Sequence, residues 1–301
     1  MYDYSGLINK LHEHHILKTQ LARTLNISSR TIAKIAKGEK LSPRVMDKLC
    51  SYFACEPRDL CRSVAQNPLT QLLVDEKNHG ISGGLYHELQ VRMTYNSNHI
   101  EGSKLSEDQT RLIFETRTID AQENMAVDDI IEAVNHFRAI DYCIDKAEEP
   151  LSEADIMHLH YLIKRGTQDE QLPWFNVGAY KMRPNVVGGK KTTPPAKVAH
   201  AMQTLLLDYN AHTTVTFEDI IAFHYAFETI HPFQDGNGRV GRLIAFKECL
   251  HHNIMPFIIE DRKKYFYYRG LNEYPHEPGF LLDTCRDGQD TFRTLVNYFM
   301  H

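Results

Sequence analysis

The sequence predicts a mainly α-helical protein: a large helical body that carries one short β-hairpin, preceded by a small all-α module. Three observations predict it. Apolar residues recur at helical spacing through almost all of the 301 residues. One segment, GAYKMRPNVVGGKKTTPPAKV (178–198), breaks that rule with Gly, Pro, Val and Thr. Charge is also uneven: residues 1–62 hold 11 Lys and Arg against 6 Asp and Glu, net +5, whereas the chain as a whole is −5, which leaves −10 on the remainder. A chain that is 42 % hydrophobic and 24 % charged can bury a sizeable core. There is no run of about 18 apolar residues, so no membrane span is expected. The N-terminal MYDYSGLINKLHEHH lacks the basic and apolar regions of a signal peptide. The six cysteines (Cys50, Cys55, Cys61, Cys143, Cys249, Cys285) form no C-x-x-C and read as reduced thiols of a cytoplasmic protein.

The elements follow in chain order. Residues 1–62 read as several short helices. Within ILKTQLARTLNISSRTIAKIAKG (16–38), Leu21, Ala22 and Leu25 line one helix face and Asn26-Ile27-Ser28 makes a turn. Ser28 or Ser29 then caps a second helix with Ile32 and Ile35 inward, and Gly38 ends it. That second helix exposes Ser29, Arg30, Thr31 and Lys34, which can reach base edges or phosphates. SPRVMDKLCSYFACEPRDL (42–60) adds a further helix pair. The whole resembles a Cro/repressor-type helix-turn-helix domain, which implies DNA as a partner through 16–38 and suggests a homodimer. A purely protein-contacting bundle is the alternative. A linker is expected over 63–84, with a proline and three glycines in AQNPLTQLLVDEKNHGISGG. From 85 to 114 the chain is helical with a break near Gly102-Ser103, and 124–144 is a further amphipathic helix. Ser152 and Asp155 form a capping-box pair at the next helix start, as do Thr216 and Asp219 later. In 178–198, Val186-Val187 and Thr192-Thr193 flank a Gly188-Gly189 turn, and the free edge of such a hairpin could pair with an extended peptide. A plain surface loop is the other reading. Trp174, the one tryptophan, is expected to anchor this flap.

HPFQDGNGRVGR (231–242) lies between two helices and has an odd composition for a packed core. Gly236 and Gly238 allow positive φ, so successive N–H groups can converge at a helix N-terminus as an anion cradle. Arg239 and Arg242 lie three apart on one helix face and could fork onto phosphate oxygens. Asp235 offers a hard oxygen ligand for Mg²⁺ beside that cradle. His231 could take a proton from an attacking hydroxyl. Together these parts describe metal-assisted transfer of a phosphate-bearing group.

These twelve residues resemble the Fic-family signature H-P-F-x-[DE]-G-N-G-R-x-x-R with all nine fixed positions present. The resemblance covers about 80–301 and implies a Fic-type helical bundle with a small β-hairpin flap, here over 85–301 and including a helix 85–102. It implies transfer of AMP from ATP to a Ser, Thr or Tyr hydroxyl of a protein, the chain itself included, with Mg²⁺. Position by position it makes His231 the general base, Asp235 the metal ligand, and Gly236, Asn237 and Gly238 the phosphate-binding residues. Arg242 would meet the γ-phosphate, Arg239 would support that site, and Phe233 would anchor the loop. The flap 178–198 resembles the family's target-docking hairpin, with Val187, Gly188 and Gly189 near the nucleotide. Tyr267 and Tyr268 resemble residues near the adenine, and read equally well as a core aromatic stripe. Relatives that transfer a kinase-type phosphate carry lysine where this chain has Gly238.

SNHIEG (97–102) resembles the family's inhibitory motif [S/T]-x-x-x-E-[G/N]. Ser97 and Glu101 share a helix face at i, i+4, with Gly102 closing the helix. The resemblance implies that Glu101 pairs with Arg242 and takes the γ-phosphate position. A protein adenylyltransferase restrained by Glu101 is therefore the expected function. A DNA-binding transcriptional regulator with a nucleotide-sensing domain, a toxin–antitoxin component, and an enzyme removing AMP at the same site are the alternatives.

Overall fold

The computed structural model describes residues 2–63, 67–120 and 125–300. The chain divides into two units, 1–71 and 72–301. Residues 1, 64–66, 121–124 and 301, which fall within the front module, linker, helix and body expected from the sequence, lie outside the described residues.

The first unit holds α1 (Ser5–Glu13), α2 (Lys18–Thr24), α3 (Ser29–Ala36), α4 (Pro43–Phe53) and α5 (Pro57–Leu60). Leu7, Leu11, Leu21, Ile35, Leu49 and Leu60 form its buried core. At the α2–α3 turn Asn26 takes a left-handed φ of 49°, a conformation Asn tolerates better than most residues. Ser28 is the cap of α3: its Oγ accepts from the Thr31 N–H at 3.2 Å. The unit is helical but not wholly so. A two-residue antiparallel ladder joins β1 (Tyr2–Asp3) to β2 (Arg62–Ser63), a pairing too short to leave an alternating sequence pattern.

The expected loose linker contains instead a twelve-residue helix, α6 (Pro68–His79), which spans the boundary between the units. Its Pro68 sits at the first position, where proline's missing N–H costs nothing. The three glycines cluster after the helix, at 80, 83 and 84.

The second unit continues with α7 (Leu85–Ile100), α8 (Glu107–Thr116), α9 (Val127–Asp145) and α10 (Glu153–Lys164). The hairpin β3 (Val186–Val187) and β4 (Lys190–Lys191) precedes α11 (Pro195–Asn210), α12 (Phe217–Ile230), α13 (Asn237–His251), α14 (Lys264–Glu273) and α15 (Gly279–Met300). Both expected capping boxes are present, at Ser152/Asp155 and Thr216/Asp219. The hairpin register differs from expectation. Lys190 and Lys191 pair with Val187 and Val186, and Thr192-Thr193 lie outside the ladder. Gly188 and Gly189 both have positive φ (56° and 78°), which matches a two-residue turn that closes the ladder immediately. α13 is the centre of the unit, buried along nearly its whole length and packed by α7, α9, α10 and α12. Its buried charges are neutralised by neighbours, as burial demands: Arg239 by Glu132, Arg242 by Glu101 and Lys247 by Glu248. Among the described residues no helix is long and apolar enough to cross a membrane.

Candidate functional site

The site is the junction of α12 and α13. α12 ends because its cap, His231, takes a left-handed φ of 51°, and α13 begins after Gly236 at φ 78°. The loop between them is pinned from inside. The Phe233 ring is fully buried and stacks on His160 at 3.9 Å with planes 3° apart. The Asn237 side chain accepts from the Phe233 N–H at 2.8 Å and donates to its carbonyl at 3.0 Å. Asn237 thus locks the loop, and its side chain is spent on that. The Gly178 N–H donates to His160 Nδ1 at 2.9 Å, which ties the stacked histidine to the segment leading into the flap. Burial pushes the His160 imidazole down to about 3, so it stacks as a neutral ring.

Arg242 projects from α13 into a cavity of about 550 Å³. Around the cavity stand Glu101, Val187, Gly188, Glu228, His231, Gly238, Tyr267 and Tyr268. Arg242 Nη2 donates to Glu101 Oε1 at 2.7 Å and to the Ser97 carbonyl at 2.9 Å, and Nε donates to Ser97 Oγ at 3.0 Å. The expected Ser97, Glu101 and Arg242 set is thus brought together across 141 residues of sequence. Gly102 follows Glu101 with φ 104°, a conformation that suits glycine. Burial would lower the Arg242 pKa, but Glu101 outweighs it and holds the guanidinium firmly protonated. Glu101 also covers the cradle: a Cβ on Gly238 would stand 2.3 Å from Glu101 Oε1 and 3.0 Å from Arg242 Nη1. A side chain at this position would have to push the Glu101 carboxylate aside.

His231 is mostly buried beside the same cavity. Burial, and after it the charge of Lys181, pushes its imidazole down to about 4, so at neutral pH it is unprotonated and able to accept a proton. Glu228 is its neighbour on α12. Burial pushes its carboxyl up to about 8 against the pull of Arg242, so it is largely protonated at neutral pH.

Asp235 is 53 % exposed, and both its basic neighbours approach the same oxygen, Oδ2: Lys164 Nζ at 2.8 Å and Arg239 Nη2 at 3.4 Å. Burial would raise its pKa, but these cations hold it at about 2, fully ionised. Among the described residues no cluster of three or more His, Cys, Asp or Glu could hold a metal ion alone. Asp235 offers one ionised carboxylate beside the α13 N-terminus, a donor that a Mg²⁺ could share with nucleotide phosphates and water. Arg239 does not border the cavity. It is buried and pairs with Glu132 at 2.5 Å, reaching the site only through Asp235. Lys164 is buried among Glu132, Asp169 and Asp235 at 2.9, 2.6 and 2.8 Å. Sequence reasoning missed Lys164 and Glu132 because they meet each other across 32 residues, and Lys164 meets Asp235 across 71, so nothing local marks them as a set.

The two tyrosines separate. Tyr267 is buried, with its hydroxyl 2.7 Å from His224 Nε2, as a core aromatic would be. Tyr268 is 40 % exposed and donates to the Ile100 carbonyl at 3.1 Å, at the end of α7. Gly189 is not among the residues around the cavity, whereas Val187 and Gly188 are. Trp174 is partly buried and carries Arg183 over its ring at 4.7 Å. In the first unit Ser29 and Arg30 are exposed and Thr31 and Lys34 partly so. Thr31 Oγ1 lies 2.9 Å from Ser28 Oγ, and Lys34 stands 3.8 Å from Glu39.

The chain is similar to known proteins in both units. Residues 150–248 match the Fic/DOC family and residues 7–66 match the Cro/C1-type HTH DNA-binding domain. A probable protein adenylyltransferase of Aquifex aeolicus is 29 % identical over 147 residues, 45 % of this chain and 43 % of that protein. The protein adenylyltransferase Fic of Nematostella vectensis is 28 % identical over 201 residues, 63 % of this chain and 44 % of that protein. The chain thus spans less than half the length of these curated relatives. Among solved structures, a Fic domain-containing signaling protein of Bacteroides thetaiotaomicron aligns with TM-score 0.58 and 25 % identity, over 76 % of this chain and 90 % of that one. Fic-1 of C. elegans aligns with TM-score 0.61 and 19 % identity over 98 % of this chain and 86 % of that one, a likeness of fold.

Proposed function

We propose that this chain, a Fic/DOC domain behind a Cro/C1-type helix-turn-helix module, transfers AMP from ATP to a Ser, Thr or Tyr hydroxyl of a protein and is restrained by its own Glu101. The observation that carries the proposal is the convergence of His231, Gly238 and Arg242 on one cavity with Glu101 inside it. His231, neutral at pH 7, takes the proton of the target hydroxyl. The freed oxygen bonds to the α-phosphorus while the bond from that phosphorus to the β-phosphate bridging oxygen breaks, and pyrophosphate leaves. The N–H groups at the α13 N-terminus, from Gly236 to Gly238, face the growing negative charge. A Mg²⁺ at Asp235 would add charge neutralisation on the phosphates when bound. Val187 and Gly188 line the docking side, with the target's backbone set against the flap 178–198. Tyr268 borders the space for the base.

Arg242 is the residue the γ-phosphate needs, and Glu101 holds it at 2.7 Å. ATP entering this site either displaces Glu101 or binds with its phosphates misplaced. Ser97 holds the same guanidinium, so α7 and its C-cap Glu101 contribute two groups to the restraint; the helix itself ends at Ile100, two residues short of the 85–102 expected from the sequence. Exposed Ser29 and Arg30, with Thr31 and Lys34, are the proposed DNA contacts of the front module. The domain limits we propose are 1–62 for that module and 85–301 for the catalytic one, in a cytoplasmic protein that pairs as a homodimer through its front module. The front module also favours a second reading, a DNA-bound regulator whose Fic-like domain senses nucleotide.

One experiment separates these readings: incubation with ATP labelled at the α- or the γ-phosphate, using the intact chain, Glu101→Gly and His231→Ala. Protein-bound label from the α position alone, lost in His231→Ala, is expected. Label from γ would mean phosphorylation, and ATP binding with no label in any variant would favour the sensor.

A further inference from the structure

Lys181 stands where the chain enters the flap, and it is 3 % exposed. Its Nζ donates to Asn185 Oδ1 at 2.8 Å, Thr192 Oγ1 at 2.7 Å and the His231 carbonyl at 2.7 Å. These acceptors are uncharged, and among the described residues no carboxylate makes an ion pair with it. An ammonium buried without a counter-ion is costly, and an apolar side chain of similar length would avoid that cost. The cost is visible in the group itself, whose pKa burial alone pulls down to about 8. What the cation joins explains its retention. Asn185 and Thr192 are the two legs of the hairpin, immediately outside β3 and β4. The third acceptor is the main chain of His231, held in the left-handed region. The backbone reinforces the same seam: the Lys181 N–H donates to the Pro232 carbonyl at 2.9 Å and Asn185 Nδ2 to the Phe233 carbonyl at 3.3 Å.

We propose that Lys181 is a positioning residue for the transfer, a clamp that fixes both legs of the flap to the main chain of His231. A hydroxyl docked on the flap and the base that must deprotonate it are then set in one frame. The clamp also places its charge toward the His231 imidazole and so favours the neutral ring. This inference rests on the proposed AMP transfer. A near-attack geometry is sensitive to sub-ångström shifts, so losing the clamp should act on turnover more than on nucleotide binding.

The test uses the full chain with Glu101→Gly as the reference. Lys181→Met and Lys181→Arg are added to it, and two quantities are read. The first is the rate of self-labelling from α-labelled ATP, with its half-saturating ATP concentration. The second is amide hydrogen exchange over 183–193 and 231–236. Lys181→Met should slow labelling about tenfold or more at nearly unchanged half-saturation and should speed exchange in both segments together. Lys181→Arg should restore most of both. Unchanged labelling with both segments still protected in Lys181→Met overturns the clamp. If the Glu101→Gly reference itself takes no label, the transfer reading fails, and the exchange data alone decide whether the clamp exists. Should Lys181→Met not fold, Thr192→Val cuts one leg only. It should loosen 183–193, and full protection there would overturn the proposal equally.

Discussion

At the scale of the residue, the site is a set of ionisable groups whose burial fixes their protonation. His231 is held at about 4 and His160 and His224 at about 3, all chiefly by desolvation. Each has a folded pKa below its unfolded value near 6.5, so the unfolded chain binds more protons between those limits. The stability they contribute is full above pH 6.5 and is lost as pH falls, down to about 4 for His231 and about 3 for His160 and His224. For His231 alone that amounts to roughly 3 kcal/mol, at about 1.4 kcal/mol per pH unit. Glu228, raised to about 8, works the other way, because its folded form keeps a proton that the unfolded form releases. The His231 contribution is therefore read as a difference. Thermal midpoints measured from pH 7 to pH 4 should fall less steeply in His231→Gln than in the unaltered chain. Parallel curves would show that the imidazole is not desolvated as described. The pairing of Glu101 with Arg242 was legible in the sequence through two short motifs, one for each partner. Lys164, Lys181 and Glu132 were not, since a lone Lys or Glu in a helical stretch reads as a solvated surface residue until the fold supplies its partners.

At the scale of the element, helices were the easiest to read. The capping boxes at Ser152 and Thr216 and the break near Gly102-Ser103, where α7 ends at Ile100, each rest on local chemistry that tertiary packing leaves in place. Errors arose where a local signal was ambiguous. Thr192-Thr193 has the higher strand propensity, yet the two-glycine turn forces pairing at Lys190 and Lys191. Pro68 suggested a linker and instead opens α6. Arg239 shares a helix with Arg242 but turns to Glu132, because three residues of helix rotate it about 60° away from its neighbour's direction. The element-level prediction concerns α3. Arg30→Ala with Lys34→Ala should weaken retardation of genomic DNA fragments and reduce the salt dependence of binding by about one or two counterions. Unchanged retardation would remove α3 as the DNA-reading helix.

At the scale of the whole molecule, the chain combines a small basic unit with a larger acidic one, and each matches a different known family. The charge asymmetry in the sequence suggests such a division, and the boundary between the two compact units falls inside α6. The activity proposed for the second unit is AMP transfer, at a site whose last arginine is occupied by the carboxylate of Glu101 at the C-cap of α7. That contact is an ion pair in a partly buried setting, with the Glu101 side chain 29 % exposed and that of Arg242 5 % exposed. The most direct measurement is the rate of protein labelling from α-labelled ATP in Glu101→Gly against the unaltered chain, at matched protein and Mg²⁺ concentrations. A rise of about tenfold or more is expected, the change that follows when about 1.4 kcal/mol of competition with the γ-phosphate is removed. Equal labelling in the two proteins, with ATP binding intact in both, would contradict it.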